Sequence, residues 1–141
     1  MKVKISGYPN YLYWLDRLFG WNPKQKISVR IDDHDTWSMD HTLAHVIHPM
    51  LVQLKATQHG YPNGLTEQEW DDILDEMIWT FEQKCRDNWE DDFYGDYIED
   101  PKNGSMAGSF EWIDHDGMKA HQTRMTNGFK LFGEYYENLW D

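Results

Sequence analysis

The chain carries one cysteine, Cys85, in 141 residues. An intrachain disulfide is therefore excluded, and a cysteine-based zinc cluster would have to draw on other subunits. A reducing cytosol suits this usage. Basic residues are also scarce, 13 Lys and Arg against 25 Asp and Glu, for a formal charge of -12. Binding to a phosphate backbone needs clustered cations that release counterions, so direct nucleic-acid binding is not expected. Long apolar runs are missing too. No stretch approaches the ~18 apolar residues of a membrane span, and the opening MKVKISGYPN has no apolar signal segment. The expectation is a soluble, intracellular protein with no membrane partner. Its length fits a single domain with one core, residues 1–141.

Aromatic residues are abundant by contrast: eight Trp, eight Tyr and six Phe, interspersed with polar residues. Such rings serve pockets and interfaces as well as cores. An entry segment, residues 1–34, reads as strand, aromatic helix and strand. KVKIS (2–6) and KISVRID (26–32) alternate polar and apolar residues as short strands do, and YLYWLDRLFGW (11–21) is a helix-like patch. Two core helices follow within residues 35–85. The first, from Asp35 to Ala56, carries Met39, Leu43, Val46, Ile47, Met50, Leu51 and Leu54 at helical spacing, with Asp35 or Ser38 as its cap and Pro49 as a kink. The turn-rich QHGYPNGLT (58–66) then connects to a second helix. There Thr66 and Glu69 form a capping box, and Trp70, Ile73, Leu74, Met77, Ile78, Phe81 and Cys85 form the apolar stripe.

Residues 86–116 are acidic and aromatic and read as a hairpin around Asn103-Gly104 or a loop. The C-terminal helix, within 117–141, aligns Met118, Gln122, Met125, Phe129, Phe132, Tyr136 and Trp140. Gly128 and Gly133 weaken this helix by roughly 1 kcal/mol each relative to alanine, which suggests a close approach to its backbone. Either a packed helix or a ligand across RMTNGFK satisfies that requirement. The fold expected is mainly helical α+β, three amphipathic helices packed together with a small antiparallel sheet or hairpin.

The segment IDDHDTWSMDHTLAH, residues 31–45, concentrates chemistry-bearing side chains. On a helical wheel His41, His45 and His48 fall opposite the apolar stripe, as an exposed face or a subunit contact. No metal cofactor is favoured, because the stretch has no Glu of the HExxH kind. If a divalent metal binds, Asp35, Asp40, His41 and His45 are its candidate ligands. Asp40 lies on the flank of the stripe beside Ile47 and Leu51, where an acid needs a counterion such as Arg30 or Arg124, or a ligand. Asp71, Asp75 and Glu82 share a flank of the second helix and read as a solvated acidic surface, since the Glu-x-x-His pattern of di-iron bundles is absent. Cys85, on an apolar stripe, reads as core and not as a nucleophile.

Three segments carry a resemblance: VRIDDHDTWSMDHTLAHVIHPMLVQLKATQHGYP, WDDILDEMIWTFE with NWEDDFYGD, and GMKAHQTRMTNGFKLFGEYYENLW. Together they resemble a family of proteins encoded by tailed bacteriophages and prophages, in order from about residue 26 to 141. The resemblance implies a phage origin and the host bacterial cytoplasm, and it brings no catalytic residues with it. Small phage proteins of this sort are often accessory, and one class sequesters nucleotide-derived immune signals as an oligomeric sponge.

By analogy with that class, the expected function is to bind a nucleotide-like small molecule as a homo-oligomer. Trp37 would stack on a base, Arg30, Arg124 and Lys130 would hold phosphate, and Asp32, Asp40 and Asn127 would complete the site. Two rivals have a basis in the residues. A metal-dependent hydrolase of a phosphorylated small molecule would use Asp32, His34, Asp35, Asp40 and His41, at least three of them converging. An acidic inhibitor or DNA mimic would present EDDFYGDYIED (90–100) to a basic host protein.

Overall fold

The computed structural model describes residues 2–6, 18, 26–100 and 104–140. Backbone contacts group the chain into two compact units, residues 1–42 and 43–141. In the first, the alternating segments pair as expected. Strands β1 (Lys2–Ser6) and β2 (Lys26–Arg30) run antiparallel, with Lys2 opposite Arg30 and Ser6 opposite Lys26. Ile27 and Val29, on one face of β2, stay exposed. The expected aromatic helix at 11–21 lies outside the described residues except for Leu18, which is exposed.

The single helix expected from Asp35 is divided in two. Asp32 opens a short helix α1 (Asp33–Trp37), and its backbone N–H donates to the Asp35 carboxylate at 2.8 Å. The acid at Asp35 thus closes the first turn from inside, as the third residue of a capping box does. Ser38 then leaves helical geometry, with φ -120° and ψ 60°, before α2 (Met39–Thr57) begins. Pro49 lies inside α2.

The face that α2 buries differs from the expected one. Ala44 and Leu51 are buried, with Ile47 and Leu54 packed beside them, while Met39, Leu43 and Met50 are exposed. Ala44 is fully buried and belongs to the core cluster with Leu51, Trp70 and Leu74. His41 and His48 are half-buried and His45 is exposed, so the three do not form the common outward face that the wheel suggests. Asp40, expected to lean on the core, is exposed.

Turn residues deliver the chain to the next helix. Gly64 takes φ 96°, a region costly for residues with a Cβ, and the Leu65 N–H bonds to the Pro62 carbonyl at 3.2 Å. Helix α3 (Glu67–Cys85) then starts on the expected capping box: Thr66 Oγ1 accepts from the Glu69 N–H at 3.3 Å, and Glu69 Oε2 accepts from the Thr66 N–H at 2.8 Å. Trp70, Leu74, Met77 and Phe81 are buried on its stripe, joined by Thr80 and Gln83, two polar residues that the apolar pattern does not mark. The acidic flank is not simply solvated. Asp71 Oδ1 accepts from Gln58 Nε2 at 2.6 Å and Asp75 Oδ1 lies 2.6 Å from Lys55 Nζ, tying α3 to the end of α2 and its connection.

Beyond α3 the chain makes a 3-10 turn (Trp89–Phe93) and then a hairpin of β3 (Tyr97–Asp100) and β4 (Gly104–Phe110), with Tyr97 opposite Phe110. The hairpin was expected; the single small sheet expected to join it with the N-terminal strands is not formed, because among the described residues the strands make two separate antiparallel pairs. Asp114 caps α4 (His115–Glu134) by accepting from the Gly117 N–H at 2.8 Å, and a 3-10 turn, Tyr136–Asn138, follows. Here too the buried face is rotated. Met125 and Gly128 are buried, with Leu131, Phe132 and Tyr135 packed on the core, whereas Gln122, Phe129 and Tyr136 are exposed. The architecture is thus mainly helical α+β. Among the described residues no helix is long and apolar enough to cross a membrane.

Candidate functional site

Of the seven residues expected to bind a ligand, Arg30, Asp32, Trp37 and Asp40 belong to the first unit and Arg124, Asn127 and Lys130 to the second. In the first, Arg30 Nε lies 4.0 Å from Asp32 Oδ1 with both side chains largely exposed, and Trp37 is 85 % exposed. An exposed pair of this kind contributes little to stability. In the second, Asn127 on α4 borders two shallow depressions, one shared with Arg124 and the other with Lys130. Asp116, Lys119, Thr123, Arg124 and Asn127 line a shallow depression of about 550 Å³ on α4, and Gln122, Thr123, Thr126, Asn127 and Lys130 line another of about 290 Å³.

Arg124 is held from behind. Its guanidinium donates to both carboxylate oxygens of Glu76 on α3, Nε at 3.0 Å and Nη2 at 2.7 Å, and its Cζ lies 3.8 Å from the centroid of the Trp79 ring. The forked contact fixes a plane, and the ring supplies a face that attracts a cation. Arg124, suggested by residue type as a counterion of Asp40, is engaged with Glu76. Its bonds to Glu76 hold its protonated form above the usual arginine range, so it stays a cation.

One turn away, His121 is enclosed by rings from three directions. Trp89 stacks on it at 4.8 Å and 6°, while Trp79 and Phe93 approach edge-on at 5.2 and 5.4 Å. Its Nε2 lies 3.2 Å from Gln83 Oε1, which also accepts from Arg86 Nη1 at 3.1 Å. An acceptor shared in this way assigns the imidazole proton to Nε2. The buried Nδ1 then has no hydrogen-bond partner among the described residues. Arg86 in turn holds Asp92 at 2.9 Å, and that bond keeps the Asp92 carboxyl below the usual range.

Burial, with the Arg86 charge next, pushes the His121 pKa below its ordinary value; Asp92 opposes the shift and Arg124 adds to it. A histidine with a depressed folded pKa stabilises the protein above the unfolded value, ~6.5, and loses that contribution as pH falls through the folded one. The melting temperature is therefore expected to drop more between pH 7.5 and 5.5 in the natural protein than in His121→Phe, which keeps a ring but does not titrate. Equal drops in thermal scans would show that His121 carries no pH dependence.

A second concavity was not foreseen. His59, Tyr61 and Pro62 from the α2–α3 connection, Trp70 from α3, and Asn138 and Trp140 from the chain's end line a cavity of about 280 Å³. Its residues are far apart in sequence, so only the clustering of aromatics near the turn could have hinted at it. Cys85 is half-buried, and burial followed by the Glu82 charge raises its thiol pKa, which agrees with a packing role. Among the described residues no group of three or more His, Cys, Asp or Glu converges as a metal site. Comparison with protein-family models, with curated proteins and with solved structures finds no match.

Proposed function

We propose that the protein binds a small nucleotide-like anion on the outer face of α4, as a phage accessory protein that sequesters such a signal in the host cytoplasm. The observation that carries the reading is local charge. Among the described α-helices, α4 is the one whose Lys and Arg outnumber its acids, with Lys119, Arg124 and Lys130 against Asp116 and Glu134, in a chain of net charge -12. Lys119 and Lys130 would hold phosphate oxygens, Thr123 and Asn127 would bond ribose or base edges, and Arg124, its charge matched by Glu76, would frame the face as a fixed plane. The hydrolase rival lacks the convergence it requires among the described residues.

The test is to purify the protein, denature it and analyse the released small molecules by mass spectrometry, then titrate the emptied protein with a cyclic dinucleotide by calorimetry. Stoichiometric nucleotide, or dinucleotide binding weakened tenfold or more by Lys119→Glu with Lys130→Glu, is the expected result. No released nucleotide and no titration heat would sink the reading.

A second reading rests on the exposed acids Glu90, Asp91, Asp92, Asp96 and Glu99 beside the exposed rings of Tyr97, Phe110 and Trp112. Such a surface suits a basic host protein. It predicts complex formation with a basic protein whose association rate falls steeply with salt.

A further inference from the structure

The cavity beside Trp70 is chemically unlike the α4 face. Three aromatic residues line it: Trp70, only 2 % exposed, and Tyr61 and Trp140, which are 55 and 74 % exposed. Trp70 is fixed in place, meeting Tyr135 edge-on at 5.5 Å. The rim is acidic. The segments that build the cavity, residues 58–72 and 134–140, contain Glu67, Glu69, Asp71, Asp72, Glu134 and Glu137 and no Lys or Arg. At about 280 Å³ the space falls at the lower end of the ~300–1,000 Å³ of small-molecule pockets, too small for a dinucleotide but enough for a compact head group.

We infer that this cavity binds a small organic cation bearing a methylated ammonium head. Ring faces attract a weakly hydrated cation through their quadrupoles, most strongly for tryptophan, and quaternary ammonium is the ligand type such groupings of rings recognise. The net negative charge of these segments raises the local concentration of cations and opposes entry of phosphates. A neutral ligand of the same shape gains the apolar contact but neither of these terms. The cavity and the α4 face are separate sites for ligands of opposite charge, so this inference does not depend on the function proposed above.

The experiment is a titration of the whole protein with choline and with its neutral carbon analogue 3,3-dimethylbutanol, followed by tryptophan fluorescence and calorimetry. Tyr61→Ala and Trp140→Ala are tested alongside, because both side chains are exposed enough to be removed without unfolding, which circular dichroism checks. Choline is expected to bind at least tenfold more tightly than the neutral analogue, and each variant to lose about tenfold or more of that affinity. Equal affinity for the two compounds would overturn the cation assignment. No choline binding at millimolar concentration, or undiminished choline binding in both folded variants, would overturn the site.

Discussion

Replacing Trp70 by alanine is expected to lower stability by about 3–5 kcal/mol, the range for removing a buried large aromatic side chain. Trp70 belongs to the buried cluster that also contains Ala44, Leu51, Leu74 and Met77. Its loss removes the apolar area that the ring buries, the edge contact to Tyr135, and the wall between core and cavity. A deficit of that size is a large fraction of the 5–15 kcal/mol typical of a domain. Guanidinium denaturation followed by far-ultraviolet circular dichroism measures it without relying on the deleted fluorophore. Trp70→Phe, which keeps most of the volume, should recover a substantial part. A shift under ~1 kcal/mol for the alanine variant would mean that the core does not depend on this ring.

Gly128→Val is expected to destabilise the protein by about 1–3 kcal/mol or more, although valine has the better helix propensity. A Cβ at Gly128 would collide with Thr80 Oγ1 and come within 2.8 Å of Thr80 Cβ and 3.0 Å of the Glu76 carbonyl oxygen. A hydroxyl can turn away; the backbone of α3 cannot. Gly128→Ala should show the smaller effect, because the gain of roughly 1 kcal/mol in helix propensity offsets part of the collision.

Thr80→Ala alone should cost little, since Thr80 Oγ1 is buried without a hydrogen-bond partner among the described residues. Combined with Gly128→Ala it should be less harmful than the sum of the two, a coupling that a double-mutant cycle reads directly. A Gly128→Val protein as stable as the natural one would refute the close crossing of α3 and α4. Because Arg124 lies one turn from Gly128, the valine variant is also expected to disturb its fork on Glu76 and weaken anion binding on the α4 face.

These two residues mark where reading the sequence succeeds and where it stops. The stripe of α3, its Thr66–Glu69 cap and the pairing of 2–6 with 26–30 were legible, because each follows from local rules: spacing, a side chain that can satisfy an end N–H, and alternation. For α2 and α4 the helix was legible and its rotation was not. Both carry apolar residues on more than one side, so periodicity alone does not choose a face. In α4 the choice fell to Gly128, where Thr80 and the Glu76 carbonyl of α3 come close, and in α2 the fully buried Ala44 lies on the face that joins the core.

The candidate site divides in the same way. Arg124, Asn127 and Lys130 could be picked from sequence as donors on one helix, since residues three apart there are neighbours on its surface. Glu76 and Trp79, which aim Arg124, come from another helix, and the rings around His121 come from α3 and the 3-10 turn. By itself the sequence determined the helical elements, the caps, the acidity and the supply of aromatic rings, all properties of residues and their near neighbours. Tertiary structure alone decided which helix faces meet, which arginine is held by which acid, and that Tyr61, Trp70 and Trp140 surround one cavity. Those outcomes depend on contacts between distant segments, whose energies local propensity does not contain.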